Sequence, residues 1–463
     1  MNTTTSFFRR LVRSVVPAGE RGRLQRQVKQ AVQLCHALLS ERGEVSGAAL
    51  ARDALAAYNA LPEAALPFFF DRLVSEFSPD PAALDQAYEA YRGQPTQDNL
   101  IRLQHAVEPP RQELFRRLNM APGGTPVIVD MRRRLLATLK ARPEWRGIDA
   151  DLAHLFNSWF NRGFLVLERI DWHTPAIVLE KLIEYEAVHE ITGWKDLRRR
   201  LEGDRRCFAF FHPALPHEPL IFIEVALTRG MSGSVQPLLA PDAPTLDPNE
   251  ADTAVFYSIT NCQEGLRGVS FGNLLIKQVA QRLGQEFPRM KTFTTLSPVP
   301  GFRAWLAGAV PRLAEAPQPK ATLEAVRRLE EADWHKQPAS AEAARKELLA
   351  LCAYYLVNGG GDGNSVDPVA RFHLGNGARL ERINWLADTS RRGIQQSAGM
   401  MVNYLYRLEQ VEDNHEAFVR DHRVVASTEI RKLARECPLA KAKPAEERRA
   451  EPPRGVAAKP AAP

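Results

Sequence analysis

The chain has 463 residues, 44% of them hydrophobic and 25% charged, which is typical of a globular protein with two or three domains. Its longest apolar runs fall short of the roughly 18 residues that a membrane-spanning helix needs, so the sequence predicts no membrane partner. The net charge is +6, but residues 1–30 carry +6 and residues 431–463 carry +5, so the 400 residues between them carry −5 and nucleic-acid binding is disfavoured.

Residues 1–22 predict a flexible basic arm. The segment contains arginines and no acidic residue before Glu20, a pattern that mitochondrial transit peptides share. A frayed arm is the preferred interpretation. We therefore expect a cytoplasmic protein, with the mitochondrial matrix as the alternative, and the final residues AAP do not form a peroxisomal signal.

Residues 23–190 predict an all-α domain. Apolar residues recur at helical spacing, as in LQRQVKQAVQLCHALL, and short polar breaks such as SPDP and APGG suit antiparallel helices. Serine or aspartate caps (Ser78, Asp80, Asp98) or prolines mark most of the starts, which fall near Gly47, Pro62, Pro81, Thr96, Pro110 and Thr125. A further helix covers about 175–190. Surplus apolar faces indicate a role in oligomerisation.

Residues 191–437 predict a second, mixed domain with helices against a sheet. Runs rich in Phe, Ile and Val predict four strands, at 205–213, 219–229, 254–260 and 290–297. The helical pattern of 273–283 between the last two completes a βαβ unit. Residues 303–356 and 383–420 are expected to be mostly helical, and the Pro-, Ala- and charge-rich tail 438–463 to be disordered.

Five scattered cysteines without a CxxC pair indicate reduced thiols. Cys207, in the basic stretch RRCF, is the candidate for an exposed thiol that forms an intermolecular disulfide. Histidines and cysteines lack zinc spacing, so no metal is predicted.

RGVSFGN (267–273) lies between a predicted strand and a predicted helix. Glycines there let backbone N–H groups approach a phosphate, and the helix N-terminus favours negative charge. The segment lacks the Walker and dinucleotide spacings, so a simple tight turn is the alternative.

Ser297 and His373 are the candidate reactive side chains. In TTLSPVPGF (294–302), Pro298 and the Pro300-Gly301 turn hold the Ser297 hydroxyl at the end of a strand. His373 lies in a short β-like run before an Asn-Gly turn. Spacing alone also allows a turn serine and a structural histidine.

Taken together, the segments RRCFAFFHP, EPLIFIEVALTRGMS, FYSITNCQEGLRGVSFGNLLIKQV, FPRMKTFTTLSPVPGF and RFHLGNGARLERINWLADTSRRGIQQSAGMMVNY resemble the malonyl-CoA decarboxylase family. The resemblance covers most of residues 190–406, in order. It implies a helical N-terminal domain followed by a catalytic domain with the fold of GCN5-related acetyltransferases. It also implies conversion of malonyl-CoA to acetyl-CoA and CO₂ without a metal or an organic cofactor, in a homotetramer.

The resemblance assigns roles residue by residue. RGVSFG (267–272) looks like the acetyltransferase pyrophosphate turn RGxGxG/A, with Ser270 at the middle glycine and Arg267 where other members have glutamine. The substrate-binding residues are then Arg267, Gly268, Val269, Ser270, Phe271, Gly272 and Asn273. Ser297 matches the active-site serine, the family's proton acceptor, and His373 matches the active-site histidine, its proton donor.

The chemistry agrees with these roles. Loss of CO₂ from a malonyl thioester leaves an enolate, whose oxygen needs hydrogen-bond donors. A rigid hydroxyl such as that of Ser297 can turn the carboxylate out of the carbonyl plane, and an imidazole can protonate the carbon. Backbone amides, Asn376 and Tyr404 are candidate donors to the enolate oxygen. Two alternatives stay open: an acyl-CoA-dependent acyltransferase of the same fold, and a non-catalytic malonyl-CoA sensor.

Overall fold

A computed structural model describes residues 18–40, 44–269, 275–317, 319–359 and 367–441. Most of the predicted arm 1–22, at 1–17, and most of the predicted tail 438–463, at 442–463, lie outside the described residues. The inner ends of both predictions are wrong: residues 18–22 begin a helix, and Pro438–Lys441 form a 3₁₀ turn in which Leu439 is buried. Within the described part of the chain no helix is long and apolar enough to cross a membrane.

Among the described residues, eight α-helices form the N-terminal region: α1 Ala18–Ser40, α2 Glu44–Asn59, α3 Leu66–Glu76, α4 Pro81–Gly93, α5 Gln97–Val107, α6 Pro110–Asn119, α7 Gly124–Thr138 and α8 Arg146–Trp159. The starts of α4, α5, α6 and α7 fall at or beside predicted positions, whereas no start was predicted for α1 or α8. Asp80 caps α4 by accepting the Ala82 N–H, and Thr96 caps α5. The predicted caps Ser78 and Asp98 are wrong: the Ser78 hydroxyl donates to the Val74 carbonyl, and Asp98 lies inside the first turn.

Six of these helices share a core, whereas α4 and α5 do not enter it. Large side chains such as Phe70, Phe115, Trp145 and Phe156 are at most 1% exposed. By contrast, neither α4 nor α5 has a buried residue, although each carries apolar side chains along one face. The two helices therefore form a hairpin outside the core.

An eight-stranded sheet follows, in the order β1-β2-β3-β4-β5-β8-β6, with β7 also paired to β8. Its strands are β1 Val166–Ile170, β2 Arg205–Phe211, β3 Ile221–Thr228, β4 Thr253–Asn261, β5 Thr292–Thr295, β6 Ser297–Pro298, β7 Arg379–Asn384 and β8 Met401–Tyr406. All pairs are antiparallel except β4 and β5. Nearly continuous apolar runs in β2, β3 and β4 reflect a sheet that is covered on both faces.

The parallel pair is the predicted βαβ unit. β4 leads through α12 (Leu275–Glu286) into β5, and Thr253–Phe256 pair in register with Thr292–Thr295. This part of the prediction is confirmed. After β5, the Leu296 N–H donates to the Phe256 carbonyl of β4, and the next residue, Ser297, pairs with β8.

The remaining helices cover the sheet and complete the mixed α+β class, which is confirmed. They are α9 Ala176–Tyr185, α10 Trp194–Arg200, α11 Gln236–Leu239, α13 Phe302–Ala314, α14 Pro319–Arg328, α15 Pro338–Asn358, α16 Pro368–Gly375, α17 Arg391–Ser397, α18 Val411–Val419 and α19 Thr428–Glu436. One hydrophobic cluster runs from α1 through α7 to one face of the sheet, so the N-terminal helices and the sheet share a core.

Further predictions are corrected. His373 lies on helix α16 and not in a β-like run, because Asp367 and Pro368 supply strong start signals that the short apolar run does not reveal. The segment 383–420, expected to be mostly helical, contains strand β8. Strand β1 lies inside the region 23–190 that was predicted to be all-α, because these residues pair with β2 of the sheet. Cys207 is 1% exposed inside the sheet, so it is not an accessible thiol.

Candidate active site

Ser297 stands where β5 ends and the chain turns. Its backbone pairs with Val402 of β8, and its side chain is buried, with 6% of the residue exposed. Pro298 follows in the same pairing register, opposite Met401. Because strand pairing fixes the backbone and proline restricts it, the hydroxyl has a defined direction.

His373 reaches the same place from helix α16. The Asp367 carboxylate begins this helix by accepting the Val369 and Ala370 N–H groups. Its second oxygen accepts the Gly301 N–H at 2.8 Å, in the turn that follows Ser297. One carboxylate therefore ties the helix that carries His373 to the turn after Ser297.

The two side chains meet, although they lie 76 positions apart in the sequence. Ser297 Oγ and His373 Nε2 are 2.9 Å apart. On the other side of the ring, His373 Nδ1 is 2.9 Å from the Tyr406 hydroxyl oxygen. The ring of Tyr404 stacks on the imidazole with centroids 4.7 Å apart, which fixes the plane of the ring.

The hydrogen-bond directions define the neutral tautomer of His373. The Ser297 hydroxyl donates to Thr295 Oγ1 at 2.9 Å, so Ser297 Oγ is free to accept from His373 Nε2–H. Nδ1 is then an acceptor, and the Tyr406 hydroxyl donates to it. Thr295 Oγ1 in turn accepts the Tyr404 N–H at 3.1 Å.

Burial decides the charge of this imidazole. His373 is 3% exposed, and desolvation lowers its pKa from 6.5 to about 3. Burial likewise raises the pKa of the Tyr406 hydroxyl well above its usual value. In the absence of a bound anion, the pair at the centre of the site is therefore neutral at physiological pH.

The predicted phosphate turn is described for its first three residues. Gln263 leads into a 3₁₀ turn at Glu264–Leu266, and Arg267, Gly268 and Val269 follow, with Gly268 at φ 79°. This positive φ explains why glycine is favoured there. The predicted residues Ser270, Phe271, Gly272 and Asn273 lie outside the described residues.

Asn376 and Tyr404, the candidate donors to the enolate oxygen, differ in their hydrogen bonding. The Asn376 side-chain amide donates to the Phe372 carbonyl at 2.7 Å. The Tyr404 hydroxyl is buried and has no hydrogen-bond partner among the described residues, while its ring contacts His373. Thr295 and Tyr406 were not predicted from the sequence. The signal available for them was the alternation of side chains along β5 and β8, which determines which residues face the site.

The comparisons with known proteins agree with one another. The sequence profile of the malonyl-CoA decarboxylase C-terminal domain matches residues 163–447, and that of the N-terminal domain matches residues 77–160. Mitochondrial malonyl-CoA decarboxylase of Anser anser anser is 38% identical over 354 residues, 71% of this chain and 70% of the relative. The Rattus norvegicus enzyme is 37% identical over 356 residues, 72% of each chain.

Solved structures give the same result in three dimensions. Malonyl-CoA decarboxylase from Rhodopseudomonas palustris matches with TM-score 0.82 and 49% identity, over 88% of this chain and 99% of that one. The protein from Agrobacterium vitis matches with TM-score 0.81 and 49% identity, over 87% and 99%. These matches define an enzyme of the carboxy-lyase class. The chain belongs to the malonyl-CoA decarboxylase family.

Proposed function

We propose that this chain decarboxylates malonyl-CoA to acetyl-CoA and CO₂, with Ser297 and His373 as the residues that contact the reacting malonyl group. The observation that carries the assignment is the 2.9 Å contact between Ser297 Oγ and His373 Nε2, in a chain that belongs to this family. The reaction needs no oxidant or reductant. The bond between the α carbon and the carboxylate breaks, its electron pair becomes the enolate, and the α carbon takes up one proton.

Ser297 orients the substrate carboxylate. Cleavage is favoured when the breaking C–C bond stands perpendicular to the thioester plane, because the electron pair then enters the carbonyl π system. Backbone pairing positions the Ser297 oxygen, and the hydroxyl can turn its proton from Thr295 Oγ1 to the substrate carboxylate and so select that orientation. The bound CoA moiety supplies the binding energy that keeps the carboxylate in place.

His373 supplies the proton. The imidazole is neutral before substrate binds, and a carboxylate within a few ångström favours its charged form. The proton taken up from solvent then resides on the imidazole, with Nε2–H toward the substrate and Nδ1–H toward the Tyr406 oxygen. After CO₂ leaves, Nε2–H is transferred to the α carbon and the ring is neutral again.

Residues 267–273 bind the CoA pyrophosphate. Support comes from residues 267–269, which follow β4 and the 3₁₀ turn Glu264–Leu266 on the way to α12, and from the positive φ of Gly268. In the trans peptide between Arg267 and Gly268, the carbonyl points toward α7 and the N–H therefore points the opposite way. The proposed reaction uses no metal and no organic cofactor.

The assembly is a homo-oligomer, with the tetramer as the specific proposal. Support comes from the α4–α5 hairpin, in which no residue of either helix is buried. Its apolar residues Tyr88, Ile101 and Val107 are 51%, 40% and 52% exposed. A second copy of the chain is the partner expected to cover this face. As to compartment, the sequence favours the cytoplasm, whereas the matched Anser, Rattus and Mus relatives are named mitochondrial.

The decisive experiment measures acetyl-CoA release from malonyl-CoA by the purified chain in the presence of a metal chelator. We expect turnover. His373→Ala is expected to lower kcat by about 10²–10⁴-fold with an unchanged circular dichroism spectrum, and Ser297→Ala to lower it as well. Replacement of the exposed His173 by alanine is the matched control and should leave kcat unaltered. Acyl transfer to an amine without CO₂ release, or tight binding without turnover, would contradict the proposal.

A further inference from the structure

Helix α7 of the N-terminal region lies directly behind the proposed pyrophosphate turn. Arg132 of α7 is 3% exposed and lies 135 positions before Arg267 in sequence. Its Nη1 donates to the Gly265 carbonyl at 2.9 Å and to the Arg267 carbonyl at 2.8 Å. A single guanidinium nitrogen thus holds two carbonyls of the segment that enters the turn.

The guanidinium is itself fixed. Arg132 Nε donates to Asp149 Oδ1 at 2.8 Å, from helix α8, so the side chain is held at both ends of its fork. Hydrogen bonds that involve a charged group are stronger and shorter than neutral ones. The planar fork of arginine makes these contacts simultaneously, which a lysine ammonium cannot reproduce in the same geometry.

Close packing fixes α7 relative to the residues that lead into the turn. A Cβ at Gly265 would lie 2.0 Å from the Val129 carbonyl oxygen of α7, so only glycine permits the observed approach. Leu266 and Val269 are buried in the same hydrophobic cluster as Ile128 and Val129. Packing against α7 and the hydrogen bonds from Arg132 therefore both fix the segment 265–269.

The consequence for ligand binding follows from peptide geometry. When the Arg267 carbonyl is bound to Arg132, the Gly268 N–H points away from α7, and it has no hydrogen-bond partner among the described residues. An N–H held in this way is preorganised for an anion, because its orientation costs nothing at the moment of binding. Arg132 does not need to touch the phosphates to influence them.

We infer that Arg132 is a positioning residue for CoA binding, through which the N-terminal helical region forms part of the substrate site. The inference rests on the proposed function, and it concerns only the described start of the proposed pyrophosphate turn, residues 267–269. It assigns to α7 a role in affinity for the nucleotide part of the substrate. The decarboxylation step at Ser297 and His373 does not depend on it.

The test compares two substrates, malonyl-CoA and malonyl-pantetheine, which lacks the pyrophosphate and the nucleotide. For Arg132→Lys and Arg132→Gln we expect KM for malonyl-CoA to rise about tenfold or more, with kcat at saturation within a factor of about three. For malonyl-pantetheine, kcat/KM should match that of the unmodified chain. General damage to the fold would affect both substrates, so a rise in KM for malonyl-CoA alone indicates a positioning role.

Matched controls come from the same helices. Arg134→Gln removes the same charge two residues further along α7, where the side chain contacts Asp130 and Glu63, and should leave both substrates unaffected. If both Arg132 variants fail to fold, Asp149→Asn, which loosens the guanidinium from the α8 side, should raise KM for malonyl-CoA alone. Equal losses with both substrates, or no change with either, would overturn the inference.

Binding of free CoA, followed by calorimetry, separates this inference from the proposed reaction. If the unmodified chain binds CoA but releases no acetyl-CoA from malonyl-CoA, the proposed function fails while the role of Arg132 is still tested by the loss of CoA affinity in Arg132→Lys. Turnover by the unmodified chain together with unaltered CoA affinity in Arg132→Lys would refute the role of Arg132 alone.

Discussion

The Tyr406 hydroxyl is the hydrogen-bond partner of His373 Nδ1, and it can bond this nitrogen in both protonation states of the imidazole. Tyr406→Phe removes this one oxygen and leaves the aromatic packing in place. We expect kcat for malonyl-CoA to fall about 10- to 100-fold with an unchanged unfolding temperature. Tyr58→Phe is the control, since the buried Tyr58 hydroxyl has no partner among the described residues. Equal activity of both variants would contradict the role of Tyr406.

The depressed pKa of His373 predicts how stability changes with pH. The folded-state pKa is about 3 and the ordinary value is 6.5, so between these values the unfolded chain binds a proton that the folded chain does not. Stability therefore falls as the pH drops below 6.5 and continues to fall toward about 3, by about 2 kcal/mol at pH ~5. Chemical denaturation at several pH values checks this, with His373→Gln expected to lose less stability over the same range.

The same shift predicts the kinetic profile. Because kcat/KM reports ionisations of the free enzyme, it should show no inflection near 6.5 that is attributable to His373. The profile of kcat should instead show the higher pKa that a neighbouring substrate carboxylate imposes. A kcat/KM inflection near 6.5 that disappears in His373→Gln would mean that the imidazole is more accessible to water than this structure indicates.

At the scale of elements, the start of α16 joins the two halves of the site. Asp367→Ala removes the acceptor for two N–H groups of α16 and for the Gly301 N–H. We expect a loss of about 1–2 kcal/mol of stability and a clear fall in kcat, because the helix that carries His373 loses its fixed relation to Ser297. Asp80→Ala makes the same change at the cap of α4 and should lower the unfolding temperature while leaving kcat intact.

Particular elements show what the sequence could and could not predict. The βαβ unit and the helix starts at Pro81 and Pro110 follow from apolar period and proline placement, which are local properties. The helix around His373 was missed although Asp367 and Pro368 are local start signals, because the short apolar run after them is also typical of a strand. Ser297 and His373 were predicted from a resemblance to a family. Their 2.9 Å contact, and the parts of Thr295 and Tyr406, required the pairing of β5 with β8 and are products of topology.

At the scale of the whole molecule, the proposed oligomer can be tested at the α4–α5 hairpin, its proposed interface. Ile101→Glu together with Tyr88→Glu places two charges on its exposed apolar face. We expect a smaller species by size-exclusion chromatography with light scattering, because burial of these charges in an interface is costly. Gln86→Glu, an exposed polar position on α4, is the control and should preserve the mass. An unchanged mass for the double variant would place the interface elsewhere.

All five cysteines are buried, and burial raises the pKa of Cys35 to about 12 and that of Cys437 to about 11. Since the thiolate is the reactive form, none of the native thiols is a good target for maleimide or nitroxide reagents while the chain is folded. A single cysteine introduced at an exposed position would therefore accept a spectroscopic label against a silent background. Pairs of such labels could measure distances between neighbouring copies directly, without first constructing a cysteine-free protein.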